Sequence, residues 1–192
     1  MSVILASKSP RRIELLSRFG IKAESIPADI DETLPASIRT PAEAVEYLSR
    51  RKAEAVFRKV PDGSVVIAAD TLVFIGDETL GKPKDKADAV RMMRLLSGKT
   101  HRVVTGMTVL SEDQTVCESV ATDVLFRTLP EREIDAYTDT DEPYDKAGGY
   151  GIQSLGGAFV REIHGDYYNV VGLPIARLLE ILGESFGIRI FG

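Results

Sequence analysis

The sequence predicts a mixed-sheet α/β fold, and three observations carry that prediction. Short apolar strands alternate with amphipathic helices through the first half of the chain. Two long β-branched segments, Thr100 to Leu110 and Thr115 to Leu125, flank a polar turn and read as an antiparallel hairpin. The chain has 192 residues, 44% of them hydrophobic and 28% charged; this suffices for one domain, bilobed at most, and not for two large cores.

Each element has a local reason. Val3 to Ala6 is a short apolar run that ends in Ser7-Lys8-Ser9-Pro10, after which Ile13, Leu15, Leu16 and Phe19 carry helical spacing up to Gly20, the expected C-terminal cap. Ser9 stands as the helix N-cap and Pro10 as its first residue. A brief strand from Ala23 to Ile26 leads into a polar loop bearing Asp29, Asp31 and Glu32. Thr40-Pro41-Ala42-Glu43 is a capping box, and Val45, Leu48, Ala55 and Val56 mark the packing face of the helix it starts. Ser64 to Ile75 reads as a strand buried on both sides, turned by Gly76-Asp77-Glu78. Asp85 caps a third helix with core face Ala89, Val90, Met93 and Leu96, stopped by Gly98. After the hairpin, Pro130 to Tyr137 reads as a short helix and Gly148 to Gly157 as a glycine-rich loop. Ala158 to Ile163 is a strand, Pro174 to Leu182 the closing helix, and Ile188 to Phe191 follows it. The polar segment Asp139 to Lys146 is the one candidate lobe boundary.

Composition narrows the function. Lysines and arginines total 24 against 29 aspartates and glutamates, a formal charge of −5. A polyphosphate track needs a net basic surface, so a nucleic-acid polymer is not the expected partner, although a few clustered cations serve a small anion. No window has the length of a membrane span and no basic leader opens the chain, so a cytoplasmic protein without membrane association is expected. Cys117 has no second thiol and reads as a small buried hydrophobe. His101 and His164 fall in no metal-ligand or nucleophile–base spacing and read as structural. Gly76 to Pro83 imitates a P-loop but puts proline where the hydroxyl residue belongs, and Gly149 to Ser154 lacks the last glycine of a dinucleotide fingerprint.

Four features exceed what a structural role requires. Arg11 and Arg12 sit in the first turn of a helix, where cations oppose its dipole by about 0.3–1 kcal/mol each unless an anion reverses the sign. With Ser7 and Ser9 they read as a phosphate cradle or as a solvated pair on a capped helix. Lys52 interrupts the apolar stripe of its helix midway between Leu48 and Val56, and either snorkels to the edge or points into a cavity toward an anion. Asp70 is a carboxylate delivered by an apolar strand, and must be paired, hydrogen-bonded or metal-bound. A functional role is the better reading, with a structural ion pair as the alternative. Asp29, Asp31 and Glu32 are oxygen donors of the kind that suit Mg²⁺, and gain weight only in combination with Asp70. Lys82 stands equally as a phosphate contact or an ordinary exposed lysine.

Taken in order, Leu5-Ala6-Ser7-Lys8-Ser9-Pro10-Arg11-Arg12, Asp31-Glu32-Thr33, Arg51-Lys52-Ala53, Ala69-Asp70-Thr71, Gly81-Lys82-Pro83, Leu96-Ser97-Gly98, Asp145-Lys146-Ala147-Gly148 with Tyr150-Gly151-Ile152-Gln153, and Val171-Gly172-Leu173-Pro174 resemble the Maf-like nucleotide pyrophosphatases from about residue 3 to residue 182. The resemblance implies a single bilobed domain over residues 1–192, with a strongly twisted mixed sheet, flanking helices and two lobes around a cleft, as in inosine triphosphate pyrophosphatases. It implies a homodimer that hydrolyses nucleoside triphosphates to the monophosphate and pyrophosphate with a divalent cation, Mg²⁺ or Mn²⁺. Arg12, Thr71 and Gln153 match the subgroup acting on dTTP and UTP, with modified pyrimidine nucleotides as further candidates. The 7-methyl-GTP subgroup instead has glutamine after the aspartate and glutamate where Gln153 stands. By the same resemblance Asp70 is the general base, Glu32 and Asp70 hold the metal, and Ser7, Arg11 or Arg12, Lys52 and Lys82 neutralise the phosphates. Gln153 has an amide suited to the N3–H and O4 edge of uracil or thymine. A pyrophosphatase for other modified or purine nucleotides, and a nucleotide-binding regulator of septum formation, are the competing readings.

Overall fold

The computed structural model describes residues 2–190. Seven strands form one sheet in the order β2-β1-β3-β5-β6-β7, with β4 added to β3. They are β1 (Val3–Leu5), β2 (Ala23–Ser25), β3 (Val65–Ile75), β4 (Glu78–Leu80), β5 (Thr100–Leu110), β6 (Thr115–Phe126) and β7 (Val160–His164). β1 runs parallel to both β2 and β3, with Val3 opposite Ala23 on one side and Val65 on the other. β3 with β4 and β6 with β7 are antiparallel, the latter with an irregular register between Leu125 and Phe126. The sheet is therefore mixed, as expected, and helices accompany it: α1 (Pro10–Arg18), α2 (Pro41–Phe57), α3 (Lys86–Leu96), α4 (Glu131–Thr138), α5 (Tyr167–Val171) and α6 (Ile175–Ser185). None among the described residues is long and apolar enough to cross a membrane.

The chain divides into two compact units, residues 1–70, 105–120 and 172–192, and residues 71–104 and 121–171. The first contains β1, α1, β2, α2 and α6 with half of β3, β5 and β6. Its core includes Ile4, Ala53, Val56, Val66 and Ala68, where α2 packs on β1 and β3. Helix α2 begins with the full capping box, Thr40 Oγ1 accepting from Glu43 N and Glu43 Oε2 accepting from Thr40 N. It lies so close to β5 that a Cβ on Gly106 would meet the Val45 carbonyl at 2.4 Å. Glycine in a strand interior marks such an approach of another backbone.

The second unit has its own core of Leu80, Met93, Leu96, Val103, Phe126 and Phe159, among others. Asp85 caps α3 by accepting from Asp88 N. Three short 3₁₀ turns, at 142–145, 147–149 and 155–159, lead into and through the glycine-rich region.

Several expectations need correction. Segment 139–146 lies inside the second unit; the chain passes between units within β3, β5 and β6, where a continuous strand leaves no linker composition to read, and at 171/172. Ser9 occupies the N-cap of α1 but its side chain makes no capping bond; Ser7 Oγ accepts from Ser9 N instead. On α2, Ala53 rather than Ala55 is fully buried, and on α3 Met92 takes the place expected for Val90. Only the first half of β3 is buried throughout. Cys117 is half-buried and bonded to Thr108 Oγ1 at 3.2 Å, because it faces a polar seam under α2 rather than the apolar core. Strand β4 and helix α5 went unpredicted, being too short to show a period. Residues 188–190 are irregular, and Phe191 lies outside the described residues.

Candidate functional site

The first unit brings Ser7, Arg12, Glu32, Lys52 and Asp70 into one neighbourhood. Asp70 ends the buried run of β3 and its side chain is 10% exposed. Lys52, four residues after Leu48 on the packing face of α2, is driven inward with that stripe, and its side chain is 12% exposed. Its ammonium forms a short ion pair with Asp70 Oδ1 and a second with Glu32 Oε1 at 2.7 Å. Lys52 therefore does not snorkel; it joins two carboxylates from different parts of the chain. Burying the Lys52–Asp70 pair removes water's competition for both charges, and each would be costly to leave alone there.

Glu32 arrives on a loop that is pinned around it. Asp31 Oδ1 accepts from Thr33 N at 2.9 Å and from Thr33 Oγ1 at 2.7 Å, which holds its carboxyl below the ordinary carboxylate range. Arg51 Nη1 donates to Asp31 O at 2.8 Å. Of the acidic trio, Asp31 thus fixes the loop and Glu32 reaches Lys52, whereas Asp29 is exposed.

Ser7 and Arg12 build the adjoining wall. Ser7 is buried, and its carbonyl accepts from Ser25 Oγ at 2.6 Å. Arg12 Nε donates to Gly172 O at 2.7 Å and Nη1 to Ala69 O at 2.8 Å, with Ser7 Oγ 3.5 Å from Nη1. The guanidinium thereby holds the backbone immediately before Asp70. Burial lowers the Arg12 pKa; Asp70 and Glu32 oppose that effect, and Arg11 adds to it. Arg11 is half-buried in the same turn. Arg12 is thus bound to backbone carbonyls rather than solvated.

The remaining candidates belong to the second unit. Thr71 follows Asp70 on β3 and is half-buried, and Lys82 and Gln153 are exposed. Gly81 O, beside Lys82, accepts from Gly148 N at 3.0 Å. Gln153 sits in the loop closed by Ser154 N to Gly151 O and Gly157 N to Ser154 O.

As to a metal, no group of three or more His, Cys, Asp or Glu among the described residues is arranged to hold one. Glu32 and Asp70 nevertheless aim oxygens at one point, now spanned by the Lys52 ammonium. Two carboxylates cannot make a closed zinc-type cage, but they fit Mg²⁺, which binds one or two and fills its shell with water and substrate phosphate.

The motifs gathered here are widely separated in sequence, and the comparison with known proteins spans all of them. The family described as Maf-like protein matches residues 2–185. The chain belongs to that family. The dTTP/UTP pyrophosphatase of Exiguobacterium sibiricum is 52% identical over 187 residues, covering 97% of this chain and 93% of its own. The dTTP/UTP pyrophosphatase of Thermosipho africanus is 50% identical over 184 residues, covering 96% and 93%. Among solved structures, the Staphylococcus aureus Ham1 protein superposes with a TM-score of 0.51 at 15% identity, over 83% of this chain and 80% of that one, and shares the fold.

Two residues of this Maf-like protein escaped the sequence reading. Gly106 sets how closely the helix carrying Lys52 approaches the sheet, and its only signal is a glycine inside a strand rich in β-branched residues. Glu142 carries the glycine-rich loop: its carboxylate accepts from Leu155 N, Gly156 N and Tyr137 OH. Burial would raise the Glu142 pKa, but the bonds from Gly156, Ser154, Leu155 and Tyr137 outweigh it and leave the group below its ordinary value. Thirteen and fourteen residues separate it from the amides it binds, too far for any local pattern.

Proposed function

We propose that this Maf-like protein hydrolyses dTTP and UTP, and modified pyrimidine nucleotides of the same edge chemistry, to the monophosphate and pyrophosphate. The observation that carries the reading is the Glu32–Lys52–Asp70 cluster, held by Arg12 and Arg51, in a chain half identical to dTTP/UTP pyrophosphatases over nearly its whole length.

In this reaction Asp70 accepts a proton from water as the water oxygen bonds to the α-phosphorus, and the bond to the departing pyrophosphate breaks. Lys52 orients the Asp70 carboxylate through their ion pair. Arg12 keeps the Ala69 carbonyl, and with it the end of β3, in place. Ser7, Arg11 and Lys82 are the phosphate contacts; Thr71 and Gln153 recognise the base, Gln153 through the amide edge that matches N3–H and O4. Glu32 and Asp70 are the residues that would hold Mg²⁺ or Mn²⁺, which when bound neutralises phosphate charge and polarises the phosphorus. A homodimer in the cytoplasm is the assembly and location that accompany this reading.

The test is pyrophosphate release from a panel of nucleoside triphosphates with Mg²⁺, run on wild type and Asp70→Asn. dTTP and UTP should rank first, and Asp70→Asn should bind nucleotide but lose nearly all turnover. If those two rank last the substrate assignment is wrong, and an unchanged rate in the variant removes Asp70 as base.

A further inference from the structure

The glycine-rich loop owes its shape to one carboxylate. Gln153 stands exposed at its tip, and immediately beyond it the chain turns back so that Leu155 N and Gly156 N both point at Glu142, at 3.1 Å from Oε2 and 2.9 Å from Oε1. Tyr137 OH donates to the same Oε1 at 3.1 Å, so Glu142 is itself aimed from α4. On the near side, Lys146 Nζ donates to Glu142 O at 2.7 Å. The space enclosed is full: a Cβ on Gly151 would lie 2.7 Å from Lys146 Cε, 2.7 Å from Ser154 Oγ and 3.1 Å from Glu142 Oε1. Gly156 is equally confined, a Cβ there meeting Gly151 N at 2.9 Å and Tyr137 OH at 3.0 Å.

We propose that Glu142 is the positioning residue for base selection: by holding the Leu155 and Gly156 amides it fixes the loop that presents Gln153. The proposal rests on the reading of Gln153 as the residue that meets the pyrimidine edge. A side-chain amide offers a donor and an acceptor and, when free to turn, suits uracil and cytosine alike. Discrimination between them requires the backbone beneath it to be fixed, since orientation is what distinguishes one donor–acceptor order from the other. A neutral residue at 142 leaves the amide of buried Gly156, and the exposed one of Leu155, without an anionic acceptor, and these bonds to a charged group are stronger than neutral ones.

The experiment compares wild type, Glu142→Ala, Glu142→Gln and Gln153→Ala in the intact protein, measuring kcat and KM for UTP and CTP and amide exchange over residues 150–157. For Glu142→Ala we expect a rise in the UTP KM and a fall in the UTP-to-CTP preference of roughly tenfold, the scale of one acceptor lost to the buried Gly156 amide. Exchange in the loop should accelerate, and kcat should change less than KM. Glu142→Gln keeps one acceptor oxygen and should fall between the two. Should Glu142→Ala not fold, the intermediate behaviour of Glu142→Gln in both readouts carries the test. An unchanged preference in both Glu142 variants, beside a changed one in Gln153→Ala, overturns the proposal and leaves the base reading standing. An unchanged preference in Gln153→Ala overturns the base reading instead, and faster loop exchange in Glu142→Ala then supports the positioning role for the loop alone.

Discussion

Replacing Gly106 by alanine tests how the lysine of the site is delivered. The added Cβ would lie 2.4 Å from both the carbonyl carbon and oxygen of Val45 and 2.7 Å from Glu46 N. These are backbone atoms of α2, so no side chain can rotate out of the way. Ordinary carbon contacts lie at about 3.5–4.0 Å, so helix and strand must separate by about 1 Å. Gly106 does not adopt a positive φ, and alanine brings no conformational penalty of its own. The cost is overpacking, about 1–3 kcal/mol, which for a chain of this size lowers Tm by roughly 2–12 °C. Lys52 lies two turns further along the same helix and moves with it. A displacement of about 1 Å at a reacting group costs on the order of 10²-fold in rate. Thermal unfolding and pyrophosphate release with dTTP measure the two effects together. Gly183→Ala is the control, because that helical glycine has nothing within 4 Å of an added Cβ and alanine there should stabilise by about 0.5–1 kcal/mol. If Gly106→Ala matches wild type in Tm and kcat, the close seating of α2 does not position Lys52.

Two further substitutions probe separate parts of the molecule. His101 is 2% exposed, its Nε2 lies 2.8 Å from Tyr150 OH, and burial lowers its pKa to about 4, weakly opposed by Asp123. The unfolded chain therefore takes up the extra proton between pH ~6.5 and ~4, so the stability tied to neutral His101 is complete above ~6.5 and lost as pH falls toward ~4, up to about 3 kcal/mol. His101→Phe should lose stability at pH ~7.5 but lose less than wild type on acidification to ~4.5, as read by urea unfolding; equal losses would refute the assignment. Arg12→Lys replaces a planar donor that reaches two carbonyls with a point charge that cannot keep both directions. We expect kcat to fall roughly 10–100-fold with KM less affected, because the loss is of Asp70 placement. A variant with wild-type kcat would show that the Ala69 bond does not govern it.

What the sequence revealed divides along a physical line. Features decided by neighbours within one turn were legible: the Thr40–Glu43 box, the Asp85 cap, the long strands from Thr100 and Thr115, and the glycine-rich loop. So were Lys52 and Asp70, because a charge on an apolar stripe or strand contradicts its own surroundings and must be answered elsewhere. What answers it was not legible. Nothing in residues 52 and 70 names the other as partner, and nothing near Arg12 names the carbonyls of Ala69 and Gly172. The unit boundaries escaped for a related reason: three of the four crossings fall inside strands whose local pattern continues unbroken.

The acidic loop shows how much of a site lies in that second kind of information. Asp31 and Glu32 are adjacent acids, and by composition they are interchangeable ligands. Asp31 is one methylene shorter, so its carboxylate turns back onto the amide and hydroxyl of Thr33 two residues on, an arrangement that aspartate favours by its length. Glu32, one methylene longer, meets Lys52 instead. The helix matches this division. Arg51 takes the loop's backbone at Asp31 O, and its neighbour Lys52 takes the loop's carboxylate at Glu32. Successive residues on a helix point about 100° apart, so the two grips come from different directions and together prevent the loop from rotating about either one. Arg51-Lys52 and Asp31-Glu32 therefore act as a paired clasp, which accounts for a side chain 60% exposed at Glu32 holding a definite place beside a buried Asp70.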